Sequence, residues 1–217
     1  MNRLFEIKKA DELLDAEFIA KWRDRQAIDA QARAVLRAIL DRFIADGRPV
    51  RVSEFPAEVH EAIARLDEKD LVLVRDGRIE LAYPFSGAPT AFAVTLLDGR
   101  TRYAVCAVDA LGIPPLLGQP VLIRSSCHHC GEPLELRVSP DGPVAGGEIM
   151  VWVGKRGDPR QKACASICRT LNFFRSEEHL RSWWEAHPDV SGAAAVLEEA
   201  FKVAAKIFGE LLRDLVP

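Results

Sequence analysis

All five cysteines of this 217-residue chain fall between Cys106 and Cys168, and the first 105 residues contain none. An odd count excludes a complete disulfide framework. The fold must therefore be held by a buried apolar core, and any thiol chemistry is confined to the second half. The distribution predicts a thiol-free N-terminal module, residues 1–83, followed by a chemical domain, residues 84–217.

The composition supports such a core. Hydrophobic residues make up 48% of the chain and charged residues 28%, ordinary values for a globular protein. This length accommodates one large domain or two small ones. A net charge of −3 gives no general attraction to nucleic acid or anionic lipid. The N-terminus, Met-Asn-Arg-Leu-Phe-Glu-Ile-Lys-Lys, lacks the apolar stretch of a signal peptide. An uncharged run, Ala110 to Ile123, holds Pro114, Pro115 and Pro120. It is also shorter than the roughly 20 residues that span a bilayer. The expectation is a cytoplasmic protein with no membrane segment and with reduced thiols.

Periodicity predicts a helix over Ala27–Asp46, with Val35, Leu36, Ile39, Leu40, Phe43 and Ile44 at helical spacing. Gly47 is placed to end it, and Pro49 prevents its resumption. A weaker helix is expected over Ala10–Arg25 and another over Ser53–Lys69. Leu71–Val74 and Arg78–Leu81 flank Asp76-Gly77, a strong hairpin signal. Helices followed by a hairpin predict a winged-helix-like module. Its would-be reading helix carries Glu54, Glu58, Glu61, Asp67 and Glu68 against only Arg65 and Lys69, the wrong charge for phosphate contact. Nucleic acid is therefore not expected as a partner, and the module reads as a cover for the second domain.

Tyr83–Thr90, with Pro84, Gly87 and Pro89, reads as a linker. A second hairpin is expected over Phe92–Leu97 and Arg100–Val105. Further strands are expected at Val121–Arg124, Leu134–Val138 and Ile149–Val153. Helices follow at Gln161–Leu171, after Ser176, and at Ala193–Leu215. The fold class is α+β, with a mixed or antiparallel sheet flanked by helices in the second domain.

Cys106 follows a predicted strand. If a helix starts there, backbone N–H groups and the helix dipole favour its thiolate, and Asp109 lies on the same face. The alternative is a buried, inert Cys106 beside an ordinary first-turn carboxylate. Cys164 and Cys168 are four apart and share a face on a helix. Cys127-His128-His129-Cys130-Gly131 has the spacing of zinc knuckles and of redox motifs. Together Cys127, Cys130, Cys164 and Cys168 can supply four zinc ligands, so a structural zinc competes with a thiol site. His179 and His187 have no motif around them and are assigned no role.

One stretch is more specific. Tyr103-Ala104-Val105-Cys106-Ala107-Val108-Asp109-Ala110-Leu111 resembles the core motif of the alkylmercury (organomercurial) lyases. Pro115-Leu116-Leu117-Gly118, Ser126-Cys127 and Val138-Ser139-Pro140-Asp141-Gly142 resemble the segments that follow it. Cys168-Arg169-Thr170-Leu171-Asn172-Phe173-Phe174 resembles the family's second cysteine motif, and Leu197-Glu198-Glu199-Ala200-Phe201 also fits. The resemblance covers roughly residues 27–215. It implies that Cys106 and Cys168 bind mercury, that Asp109 is the catalytic acid, and that Cys127 is structural. It implies an organomercurial substrate, no required cofactor, and small thiols or mercuric reductase as acceptors of Hg(II).

Cys130 and Cys164 stand outside the family pattern. Aligning on Arg160-Gln161 makes Cys164 the second thiol, whereas the longer match beside Phe173-Phe174 makes it Cys168. Leu111, Ile113, Phe173 and Phe174 are expected to line the pocket. Two other readings compete, a zinc-stapled winged-helix metal sensor and a soft-metal-binding thiol protein without turnover. The acidic reading helix argues against the first. The Cys106-x-x-Asp109 pair argues against the second, because a passive binder needs no proton donor.

Overall fold

The computed structural model describes residues 4–14, 16–155 and 161–209. Three helices open the chain: α1 (Ala10–Leu13), α2 (Ala16–Gln26) and α3 (Ala30–Asp46). The helix expected from Ala27 starts at Ala30 because Asp29 caps it, accepting the Ala32 N–H at 2.7 Å. Gly47 closes it in the left-handed conformation, φ 64°, with its N–H on the Phe43 carbonyl at 2.9 Å. Val35, Leu36, Ile39, Leu40 and Phe43 are buried, as the spacing requires.

Strand β1 (Val50–Arg51) and two 3₁₀ turns, Val52–Glu54 and Ala57–Val59, precede α4 (His60–Glu68). The helix expected from Ser53 is thus postponed to His60. Pro56 lies between the two turns, where it cannot donate a helical hydrogen bond. The first hairpin forms as expected from β2 (Val72–Arg75) and β3 (Arg78–Ala82). Asp76 (φ 49°) and Gly77 (φ 71°) both take positive φ, the backbone a type I′ turn needs.

The expected linker is not one. Tyr83 and Phe85 are buried, and β4 (Phe85–Ser86) pairs with β3 on one side and with β6 on the other. The polar punctuation of Pro84, Gly87 and Pro89 hid two large apolar side chains that enter the core. The sheet continues through β5 (Ala93–Thr95), β6 (Thr101–Ala104), β7 (Val121–Ser126), β8 (Pro133–Ser139) and β9 (Gly142–Pro143). Its order is β1-β3-β4-β6-β5-β7-β8-β9 with β2 against β3, and every pairing is antiparallel. One apolar cluster runs from Ala10 to Phe208 and joins the early helices to this sheet.

Helix α5 (Ala107–Leu117) leaves β6 and is buried on nearly all sides, consistent with a sequence whose only charged residue is Asp109. It continues through Pro114 and Pro115 and ends at Gly118, φ 64°. A smaller sheet, β11-β10-β12, is built from β10 (Met150–Gly154), β11 (Asn172–Phe174) and β12 (Gly192–Val196). Helix α6 (Glu177–Ala186) covers a second apolar cluster of Met150, Trp152, Phe174, Leu180 and Trp183. Helix α7 (Leu197–Phe208) packs on α5 so closely that a Cβ at Gly112 would lie 2.1 Å from the Phe208 ring.

Two expected helices change form. Residues Gln161–Leu171 make two 3₁₀ turns, Ala163–Ala165 and Ile167–Thr170, separated by Ser166 at φ −127°, ψ −97°. Tertiary partners take the backbone donors instead: Ala163 N–H bonds Asp70 Oδ2 at 3.0 Å, and Cys164 N–H bonds the Tyr83 hydroxyl at 2.8 Å. The last helix begins at Leu197 rather than Ala193. Ala193, Ala194 and Ala195 are buried in β12, where pairing with β10 overrides their helix preference. The end of that expected helix, through Leu215, lies outside the described residues. The described chain is α+β, with seven α-helices and antiparallel sheets.

Candidate active site

Cys106 occupies the N-cap of α5 in extended conformation, φ −152° and ψ −179°. Its sulfur accepts the Asp109 N–H at 3.4 Å, and its thiol donates to Asp109 Oδ2 at 2.8 Å. Cys168, on the second 3₁₀ turn, donates to the same carboxylate oxygen at 3.9 Å. The ligating atoms of Cys106, Asp109 and Cys168 lie within 4.8 Å of one another. All three side chains are buried, at 1%, 4% and 8% exposure. Two elements far apart in sequence thus deliver two thiols to one carboxyl group.

Burial decides the protonation states here. It pushes the Asp109 carboxyl up to about 7, against the lowering effect of the Cys106 hydrogen bond and the Arg25 charge. Burial also pushes the Cys106 thiol well above its ordinary range, and the neighbouring Cys168 and Asp109 add to that rise. The hydrogen bond with Cys106 would lower the Cys168 thiol. Burial and the charges of Asp109 and Cys164 outweigh it, and that thiol is raised as well. The helix N-terminus was expected to favour a Cys106 thiolate, but desolvation is the larger effect. Each resting thiol keeps its proton until something soft replaces it, and Asp109 titrates where it can receive that proton or give it back.

The N-terminal segment supports the turn that carries Cys168. Arg25 of α2 pairs with Asp70, which also accepts the Ala163 N–H. Lys162 reaches Asp67 Oδ1 at 3.2 Å. Tyr83, deep in the core, holds Cys164 N–H through its hydroxyl. Burial raises this phenol, and the charges of Cys168, Cys164 and Asp109 raise it further, so it stays neutral. Arg25, Asp70 and Tyr83 carried no motif. They became legible only when the chain folded back on residues 162–168.

Cys164 is half-buried on the first 3₁₀ turn and is not one of the three groups that converge. The shared helical face expected for Cys164 and Cys168 is lost with the helix. The four-cysteine zinc set is not assembled either. Cys168 belongs to the buried trio, whereas Cys127 and Cys130 group with His179. Among the described residues, no set of three ligating atoms within 4.8 Å of one another combines the two cysteine pairs. His179, to which the sequence assigned no role, is therefore part of a second cluster. Its only signal was its place three residues after the helix-capping Ser176.

The expected pocket lining also divides. Successive strand residues face opposite sides. Phe173 enters the main core against Phe92, with ring centroids 5.9 Å apart, whereas Phe174 enters the second cluster against Trp183 at 5.2 Å. Leu111 and Ile113 are fully buried in the main core. No helix among the described residues is long and apolar enough to cross a membrane.

Comparison with known proteins agrees with the motif reading. The family model for alkylmercury lyase (MerB) matches residues 85–209, more than half of the chain. An alkylmercury lyase of Streptomyces lividans is 32% identical over 169 residues, which is 73% of this chain and 76% of that protein. One from Staphylococcus epidermidis is 29% identical over 168 residues, 75% of this chain and 76% of that protein. Among solved structures, the mercury-bound form of MerB2 matches with a TM-score of 0.76 at 24% identity, covering 91% of this chain and 100% of that one. That structural likeness speaks to the fold, and the sequence matches speak to descent. This chain belongs to the alkylmercury lyase family.

Proposed function

We propose that this protein cleaves the carbon–mercury bond of organomercurials by protonolysis, releasing a hydrocarbon and retaining Hg(II) on Cys106 and Cys168. The observation that carries the reading is the convergence of two buried thiols on one carboxylate oxygen, at 2.8 and 3.9 Å.

The substrate arrives as an organomercury thiolate, R–Hg–SR′. The Cys106 sulfur forms a bond to mercury, and its proton leaves through Asp109 with the departing R′SH. Cys168 then binds the same mercury and passes its proton to the Asp109 carboxylate. Two thiolates on mercury make the attached carbon more basic. Asp109, now a neutral acid in a dry site, protonates that carbon, and the hydrocarbon R–H departs. Asp109 returns to the carboxylate and Hg(II) remains on the two sulfurs. The scheme takes its acid and both soft ligands from the chain itself. Small cellular thiols or mercuric reductase then accept the ion. A dithiol that must stay reduced suits the cytoplasm.

Residues 1–83 read as a winged-helix-like cover for a catalytic domain over 84–217. Support comes from the Arg25–Asp70 and Tyr83–Cys164 contacts, which brace the Cys168 turn. A DNA-reading role is not favoured. The cations of α4 and its C-cap are spent on neighbours, Arg65 on Glu61 and Asp29 at 3.1 and 3.2 Å, and Lys69 on Asp24 at 3.2 Å.

The test is incubation of the protein with phenylmercury and excess small thiol, with benzene as the readout. Wild type releases benzene over many turnovers, and Cys106→Ser releases none. Turnover by that variant would remove Cys106 as the first ligand. Absence of benzene from wild type would remove the reaction.

A further inference from the structure

The reaction scheme leaves Cys127, Cys130 and His179 unused. Cys127-His128-His129-Cys130-Gly131 forms a tight turn between β7 and β8. Gly131, at φ 77°, donates its N–H to the Cys127 carbonyl at 2.8 Å, and Cys127 N–H bonds the Glu132 carbonyl at 2.8 Å. The turn wraps its own N–H groups around one sulfur. The N–H of Arg175 reaches Cys127 Sγ at 3.5 Å, and those of Cys130 and His129 also favour its thiolate.

Across the turn, Ser176 fixes the start of α6 by accepting the His179 N–H at 3.4 Å. This aims His179 Nδ1 at Cys127 Sγ, 3.6 Å away. The Cys130 sulfur completes a group whose ligating atoms all lie within 4.8 Å of one another.

We infer that Cys127, Cys130 and His179 form a zinc site separate from the Cys106–Asp109–Cys168 centre. Zinc takes thiolate at about 2.3 Å and imidazole nitrogen at about 2.0–2.1 Å in tetrahedral geometry, which sets sulfur and nitrogen about 3.6 Å apart. The Cys127–His179 separation has that value. Mixed thiolate and imidazole donors suit a borderline-soft d¹⁰ cation. Three protein ligands leave a fourth position for water or for the exposed His129, whose ring centroid is 5.3 Å from that of His179. Zinc here ties the β7–β8 turn to the start of α6. Through Arg175 N–H and the bond from His128 N–H to the Phe173 carbonyl at 2.9 Å, it also ties that turn to β11, the strand that follows Cys168.

The experiment is titration of metal-free full-length protein with zinc, measured by competition with a chromophoric chelator. Cobalt(II) is used in parallel to report thiolate charge-transfer and tetrahedral ligand-field bands. The expected result is one equivalent of zinc bound by wild type and by the Cys106→Ser/Cys168→Ser double variant. Cys130→Ser loses that equivalent. His179→Ala weakens it at least about tenfold, since loss of even an outer-shell partner costs that much. His179→Cys keeps the equivalent and strengthens the charge-transfer band, which separates a ligand from a residue needed only for folding. Zinc uptake that disappears in the double variant, or persists undiminished in Cys130→Ser, overturns the proposal. So does a turn that binds Hg(II) but no zinc. None of these readouts depends on carbon–mercury cleavage, so the zinc site and the lyase reaction stand or fall separately.

Discussion

Cys106 and Asp109 meet twice: the thiol donates to Oδ2 at 2.8 Å, and the Asp109 backbone N–H donates back to the sulfur at 3.4 Å. The second bond is a helix cap, so the geometry of the pair is fixed by the start of α5 rather than by a flexible loop. A proton can move between the two groups without either side chain changing position.

Replacing the acid while keeping the shape separates binding from chemistry. Asp109→Asn keeps a side-chain oxygen near Cys106 but has no proton to deliver to carbon. Positioned general acids contribute roughly 10²–10⁴-fold. Benzene release should therefore fall by at least about 10²-fold, while one phenylmercury is still captured per chain. Gas chromatography of benzene beside mercury stoichiometry by mass spectrometry checks both halves. Wild-type turnover in this variant rejects Asp109 as the proton donor.

The same carboxyl leaves a signature in stability. Its ordinary value is 3.8, and burial raises it to about 7 in the folded protein. Across that window the folded state keeps a proton that the unfolded chain has released. Stability from this group is therefore greatest at low pH and falls as pH climbs toward 7. The full shift is worth on the order of 4 kcal/mol, since one pKa unit corresponds to about 1.4 kcal/mol. Asp109→Asn removes this dependence. Urea unfolding at several pH values from 5 to 8 should show wild type losing stability relative to the variant as pH rises. Parallel curves would mean that Asp109 is ionised throughout.

Much of this was readable before folding. The Gly47 stop of α3, the Asp76-Gly77 turn and the Ser176 cap are local signals with local causes, and the structure obeys them, whereas the Asp29 cap that starts α3 at Ala30 went unread. The pairing of Cys106 with Asp109 was legible because three residues of helix suffice to juxtapose them. What failed was decided at long range. Gln161–Leu171 has helical spacing, yet Asp70 and Tyr83, more than 80 positions away, capture its N–H groups and break it into 3₁₀ turns. Ala193–Ala195 favour a helix, yet β10 recruits them as a strand. His179 joined Cys127 only because α6 folds over the β7–β8 turn, a contact spanning 52 positions.

The choice between Cys164 and Cys168, ambiguous by alignment, becomes a prediction. Only Cys168 shares the Asp109 oxygen, whereas Cys164 is tied through its backbone to Tyr83. Cys168→Ser should abolish multiple turnover, because a single thiolate on mercury activates carbon less and the second proton source is lost. Cys164→Ser should stay within a few-fold of wild type. Equal loss in the two variants would place both sulfurs on the metal.

The floor beneath the site rests on a close approach between α5 and α7. Gly112 lies three residues past Asp109, and a Cβ there would meet Phe208 at 2.1 Å, far inside contact distance. Gly112 is helical with no unusual φ, so alanine costs nothing in backbone conformation and would otherwise favour the helix. The clash therefore dominates, and inserting volume into a packed core costs about 1–3 kcal/mol. Gly112→Ala should destabilise by that amount in urea. Because the obstacle is one aromatic ring, shrinking it should relieve the strain. Phe208→Leu alone loses buried area, but combined with Gly112→Ala the total should be smaller than the sum of the two single losses. Additive losses would mean that α7 shifts as a body. In that case Cys106–Asp109 geometry should change as well, visible as reduced benzene release in the Gly112→Ala protein.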